Sequence, residues 1–200
     1  VDELLEVALS TDKAIQTAPK KFDEAAHHQL AKRAAAESIV LLKNEDGILP
    51  LNPCRKVTLI GDFVCTPRYQ GAGSSMVNPT RLDSLADVAE TAGLNLIGYC
   101  SGYERSGKPN KAYLAEAVAQ AKLADIVILC IGLDESSESE GLDRTHICIP
   151  AVQKELLDAV AAVNKNIVAI ISAGSVIETD WVEKCKAVVH GYLGGQAGAG

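Results

Sequence analysis

The chain is poor in aromatic residues: among 200 residues it has five Tyr, two Phe and one Trp. A core of ordinary size must therefore come from Val, Ile, Leu and Ala, the composition of parallel strands buried under helices on both faces. Excess positive charge is also missing. Nineteen Lys and Arg face 26 Asp and Glu, giving a formal net charge of −7, and no basic stripe or Arg-rich segment occurs. Nucleic acid and anionic membrane are accordingly poor partners. No apolar run approaches the roughly 20 residues needed to span a bilayer. The opening Val-Asp-Glu-Leu-Leu-Glu has no signal-peptide pattern.

Paired cysteine motifs are absent too. Cys54, Cys65, Cys100, Cys130, Cys148 and Cys185 are scattered without a C-x-x-C pair. This favours small buried thiols in a reducing compartment over a disulfide framework or a zinc site, so no metal is expected and a cytoplasmic location is. Any targeting signal of a longer parent would lie upstream of Val1. The Ser nucleophile elbow G-x-S-x-G is missing, as are G-K-[ST] and G-x-G-x-x-G, and no cofactor is expected.

What is present is an alternation of aliphatic runs and helical patterns. Strands are expected at Val57–Gly61, Leu94–Tyr99, Ile126–Gly132, Ile167–Ala173 and Ala187–Leu193. Helices are expected at Ser84–Thr91, Lys111–Leu123 and Pro150–Asn164, with a short one at Thr179–Lys184. Before them, Asp23 suits an N-cap for a long helix over Glu24–Lys43, where Ala31, Ala34, Ala35, Ile39 and Leu42 recur at helical spacing. Val1 to Phe22 reads as an arm, an amphipathic stretch followed by the connector Ala18-Pro19-Lys20-Lys21. The pattern implies an α/β protein: a three-layer α/β/α sandwich with a mainly parallel, flavodoxin-like sheet.

In such sheets ligands bind beyond the carboxyl ends of the strands. The run Glu135-Ser-Ser-Glu138-Ser-Glu140-Gly-Leu-Asp143-Arg144 follows the central strand and crowds carboxylates where a buried strand gains nothing from them. A carboxyl group among like charges can have its pKa raised enough to donate a proton near neutrality. Tyr69-Gln70-Gly71-Ala72-Gly73-Ser74-Ser75 offers a second loop, whose glycines let backbone approach a polar ligand. His27 and His28 lie on the long helix without a spaced partner and are expected to be exposed. His146 stands near the acidic loop, and His190 is expected in the core or at a sheet edge.

Several stretches in order resemble the second domain of family 3 glycoside hydrolases. They are Ala34-Ala-Ala-Glu-Ser-Ile-Val-Leu-Leu-Lys-Asn-Glu45 with Leu49-Pro50-Leu51, then Gly71-Ala-Gly-Ser-Ser75 with Val77 and Pro79. Glu138-Ser-Glu-Gly-Leu-Asp-Arg144 follows, then Ile147-Cys-Ile-Pro150 with Gln153, Leu156 and Leu157. Ser172-Ala-Gly174, Trp181 and Gly194-Gly-Gln-Ala-Gly198 complete the series.

The resemblance covers about residues 24–200. It implies a β-glycosidase, β-glucosidase above all, acting on terminal non-reducing sugars of a β-glucoside or related oligosaccharide. In that family a (β/α)8 barrel of the same polypeptide carries the aspartate nucleophile and the sandwich carries the acid/base glutamate. Glu140, directly before Gly-x-Asp-Arg, is favoured for that role over Glu138. Asp143 and Arg144 would hold the loop or contact sugar hydroxyls, and Gln70, Ser74 and Ser75 would border the pocket.

Nothing here resembles the barrel's nucleophile segment. The chain is therefore expected to be an excised domain, residues 1–22 being the tail of the barrel and 23–200 a sandwich cut short at its end, silent by itself. The competing readings are a non-catalytic carbohydrate-binding or scaffold domain and a nucleotide binder.

Overall fold

A computed structural model describes residues 1–18 and 21–200. Pro19 and Lys20 of the expected connector lie outside the described residues. Helix α1, Asp2–Thr17, buries none of its side chains. Helix α2, Glu24–Ser38, begins as expected, with the Asp23 carboxylate accepting from Ala26 N at 2.9 Å.

The helix is shorter than its apolar spacing suggested. At Ile39 the backbone turns extended, and Val40–Asn44 forms strand β1, a sixth strand that periodicity had merged into the helix. Its partner is β6, Ala187–His190, which it pairs antiparallel through Val40↔His190 and Leu41↔Val189. The other strands are β2 (Lys56–Ile60), β3 (Asn95–Cys100), β4 (Ile126–Gly132) and β5 (Ile167–Ser172), all parallel to one another and to β6. Strand β6 ends at His190 rather than Leu193, because Gly191 follows it and Tyr192 adopts φ +52°.

The strand order is β1-β6-β5-β4-β2-β3. The chain thus leaves β2 in one direction to form β3 and returns on the other side of β2 to form β4. Right-handed crossovers in opposite directions place helices on opposite faces. Helices α4 (Lys111–Leu123) and α5 (Ala151–Val163) pack on one face, where Leu129, Ile131, Leu156, Leu157 and Trp181 share a cluster. Helix α3 (Leu85–Thr91) lies on the other, over Val57, Leu59, Ile126 and Ile128. The central strands β4 and β5 read as nearly continuous apolar runs, and every residue of β4 is buried.

Gly132 closes β4 at φ +146°, and a Cβ there would fall 2.0 Å from the Ser172 carbonyl oxygen. Only glycine lets β4 and β5 stay paired to Gly132↔Ser172 at their carboxyl ends. The cysteines divide. Cys100, Cys130 and Cys185 are buried, and burial pushes each thiol up to about 12; Cys54 and Cys65 are exposed, against the expectation of small buried thiols.

Candidate active site

Strand order reverses between β2 and β4, which opens a crevice at their carboxyl ends. The loops leaving these strands meet there. Ala72 and Ser139 form an isolated parallel bridge, and Glu140 N donates to Ala72 O at 3.2 Å. Gly73, at φ +96°, allows the contact, since a Cβ on it would stand 2.7 Å from the Glu140 Cβ. Glu140 is exposed, and its Oε2 accepts from Ser74 N at 2.8 Å and from the Ser74 hydroxyl. These two donors hold the Glu140 carboxyl below its ordinary pKa. The elevated pKa expected of this loop is therefore reversed at Glu140 in the domain by itself: the carboxyl meets water and donors, not an apolar wall.

Glu138 is placed differently. Asp134, where β4 leaves the sheet, accepts Ser137 N and Glu138 N on its carbonyl, and Ser137 N at 2.8 Å and the Ser136 hydroxyl at 2.9 Å on its carboxylate. Burial pushes the Asp134 carboxyl up, but bonds from Ser137 and Ser136 and the nearby Arg105 charge outweigh it and leave the pKa lowered. This turn directs Glu138 inward, its side chain 11 % exposed, where Oε2 accepts from Gly174 N at 2.9 Å. Beneath it lies Arg68, its side chain 1 % exposed. Arg68 Nη2 donates to Glu138 O at 3.0 Å and stands 4.0 Å from Glu138 Oε2. Its Nε, 3.9 Å from Glu135 Oε1, makes no hydrogen bond among the described residues.

A second arginine braces the same loops. Arg105 Nε meets Asp62 Oδ2 at 2.6 Å, its Nη1 meets Glu135 at 3.4 Å, and its Nη2 donates to Thr66 O. Arg144 joins the loop after β4 to the loop after β5, donating to Ser175 Oγ at 2.9 Å and Val176 O at 2.8 Å. It holds the loop, one of the two roles expected of it, whereas Asp143 is exposed. Gln70 staples its own loop, taking Val77 N at 2.9 Å and donating to Val77 O at 3.1 Å. Ser75 is exposed beside this staple, and His146 is exposed beyond Arg144.

His190 is half-buried with its ring 4.0 Å from that of Tyr192, and burial lowers its pKa against the pull of Glu138. It lies on a strand paired on both sides, not at a sheet edge. A cavity of about 260 Å³ opens beside Arg68, Ser172, Gly191 and Tyr192.

His28 corrects another expectation. Far from exposed, it is 4 % accessible, with Nε2 2.8 Å from Asp83 Oδ2 and Nδ1 3.1 Å from the Gln196 amide. Arg81 Nε binds the other Asp83 oxygen at 2.8 Å, and Asp83 N donates to Gln196 O at 2.9 Å. This network ties α2 to the segment after β6. Its partners are distant in sequence, and no spacing signal could reveal it. Arg68 and Arg105 were missed for the same reason.

The geometry offers an exposed carboxyl, Glu140, tethered across the two loops by Ser74, and another, Glu138, turned inward as part of the scaffold. A carboxyl of the first kind can exchange a proton with a bound ligand.

Residues 39–200 match the family model described as the glycosyl hydrolase family 3 C-terminal domain. Thermostable beta-glucosidase B of Acetivibrio thermocellus is 47 % identical over 182 residues, covering 88 % of this chain and 24 % of that protein. An exo-alpha-(1->6)-L-arabinopyranosidase of Bifidobacterium breve is 40 % identical over 206 residues, covering 98 % of this chain and 27 % of that protein. The crystal structure of a GH3 beta-glucosidase from Bifidobacterium adolescentis superposes with a TM-score of 0.91 at 43 % identity, over 98 % of this chain and 29 % of that one. The chain thus spans about a quarter of the length of these relatives.

Proposed function

The chain belongs to glycosyl hydrolase family 3, and we propose that it supplies the general acid/base carboxyl of a retaining β-glycosidase, with Glu140 as that group and a β-glucoside as substrate. The observation that carries the choice is the contrast between the two glutamates. Glu140 stands exposed in the crevice with Ser74 as its tether, while Glu138 is committed to Gly174 N and Arg68.

A retaining glycosidase needs two carboxyl groups roughly 5–5.5 Å apart, one ionised and attacking the anomeric carbon, one protonated beneath the leaving oxygen. The nucleophile would come from a (β/α)8 barrel of the same polypeptide. Glu140 gives its proton to the departing oxygen and then takes one from the water that cleaves the glycosyl-enzyme. Docking of the barrel supplies what the isolated domain lacks. It strips water from Glu140 and sets a second carboxylate nearby, and both changes raise the pKa against the Ser74 donors. In this reading Asp143, exposed on the same loop, meets sugar hydroxyls.

Glutamine at position 140, in the polypeptide that carries the barrel, tests this reading. Turnover of a glucoside with a poor leaving group should fall on the order of 10²–10⁴-fold, and that of an activated aryl glucoside far less. Unchanged turnover in both Glu140→Gln and Glu138→Gln would make the domain a scaffold or carbohydrate-binding module instead.

A further inference from the structure

The two loops at the switch point converge on one pair of side chains. The Ala72↔Ser139 bridge and the Glu140 N to Ala72 O bond fix the register, bringing Ser74 opposite the Glu140 carboxyl. Gly73, between them, gives the room. Both Ser74 donors then reach the same atom, Oε2, while Oε1 makes no hydrogen bond among the described residues.

Among the described residues no other polar group bonds this carboxyl. Among the described residues no Lys, Arg or His pairs with Glu140. On the facing loop, Arg68 is turned to Glu138 and Glu135, and the Tyr69 hydroxyl donates to Val77 O at 3.3 Å. On its own loop, Glu138 is bound by Gly174 N, Arg144 is bound to Ser175 and Val176, and Asp143 is exposed.

We propose that Ser74 is a positioning residue for Glu140, gripping one carboxyl oxygen from across the crevice so that the other is left to meet the leaving oxygen and then the attacking water. The proposal rests on Glu140 being the acid/base group. Its physical core is which oxygen carries the proton. Both Ser74 donors point at Oε2, so the acid form holds its proton on Oε1, the oxygen that meets the leaving group. Oε2 accepts from Ser74 as a carbonyl oxygen in the acid and as a carboxylate oxygen in the base, more strongly in the second. Ser74 can therefore keep hold of the side chain in both protonation states, which a group that serves first as acid and then as base requires.

The test is a carbon-detected NMR titration of the Glu140 carboxyl in this chain, unsubstituted and with Ser74→Ala, Ser74→Thr or Gly73→Ala. Ser74→Ala should raise the pKa of Glu140, because a donor to the charged form is gone. Ser74→Thr, which keeps a hydroxyl, should restore the unsubstituted titration. Gly73→Ala should also raise it, since the new methyl displaces Glu140 without removing either Ser74 donor. A Glu140 titration that Ser74→Ala leaves unmoved overturns the proposal.

In the barrel-bearing polypeptide, Ser74→Ala should lower kcat by about ten- to a hundredfold with KM little changed, as expected when a catalytic group is misaimed. The basic limb of its pH profile should move up with the acid's pKa. A moved titration with an unmoved limb would leave the grip standing and remove Glu140 as the acid, so the two failures stay apart.

Discussion

Arg68 Nη2 donates to the Glu138 backbone oxygen across 3.0 Å, so the loop after β2 supports the acidic loop from beneath. The guanidinium is buried, and its charge is matched by Glu138 at 4.0 Å and Glu135 at 3.9 Å. Removing one member of a buried pair leaves the other uncompensated. Arg68→Met should cost about 3 kcal/mol of unfolding free energy, read from urea denaturation. Arg68→Lys should recover only part of this, because a point charge cannot span carbonyl and carboxylate together. A midpoint unchanged in Arg68→Met would show that the pair carries no such weight.

Gly132→Ala should be among the most damaging single-methyl additions in the sheet. The new Cβ would meet the Ser172 carbonyl oxygen at 2.0 Å, and alanine disfavours φ +146°. Overpacking and backbone strain together cost on the order of 3 kcal/mol. Thermal unfolding of the variant checks this, and an unaltered melt would contradict the tight β4–β5 closure.

Asp83 gives a pH dependence of defined sign. Burial pushes its carboxyl up, but hydrogen bonds from His28 and Arg81 outweigh that and leave it below its ordinary value. A carboxyl lowered by folding stabilises the protein at pH values above the unfolded pKa, near about 3.9. That stabilisation is lost as the pH falls through the folded value. The stability gap between the unsubstituted chain and Asp83→Asn should be widest at neutral pH and shrink below about pH 4. Urea midpoints at a series of pH values measure it, and a gap that widens on acidification would reverse the assignment.

The 200-residue chain by itself should not turn over an aryl β-glucoside. Retention needs a nucleophile facing the acid/base group, and Glu138, the carboxyl nearest to Glu140 in sequence, is bound by Gly174 N. Release of the aryl group that disappears in a Glu138→Gln, Glu140→Gln double variant would show the domain to be sufficient.

The parallel strands were legible in the sequence because burial on both faces leaves their aliphatic runs uninterrupted, as in β4. Strand β1 was not. Its Leu41 and Leu42 are about half exposed, and its identity comes from pairing with β6, more than 140 residues on, a tertiary fact that helical spacing at Ile39 and Leu42 concealed. The acidic loop was legible by its crowding of carboxylates, and the glycine loop by its composition. Their meeting through Ala72 and Ser139 was not, nor was the burial of Arg68 and His28, whose partners lie 70 and 55 residues away. The protonation of Glu140 depends on contacts rather than on the charge density of its segment, and Ser74 reverses the shift that the segment's composition suggested.

The most direct measurement is chemical rescue in the barrel-bearing polypeptide with Glu140→Gly, an activated aryl β-glucoside and azide. Without its base the glycosyl-enzyme should accumulate, and azide, which needs no deprotonation, should release it as the β-glucosyl azide with configuration retained. Acceleration by azide in Glu138→Gly, and none in Glu140→Gly, would contradict the assignment of Glu140 as the acid/base group.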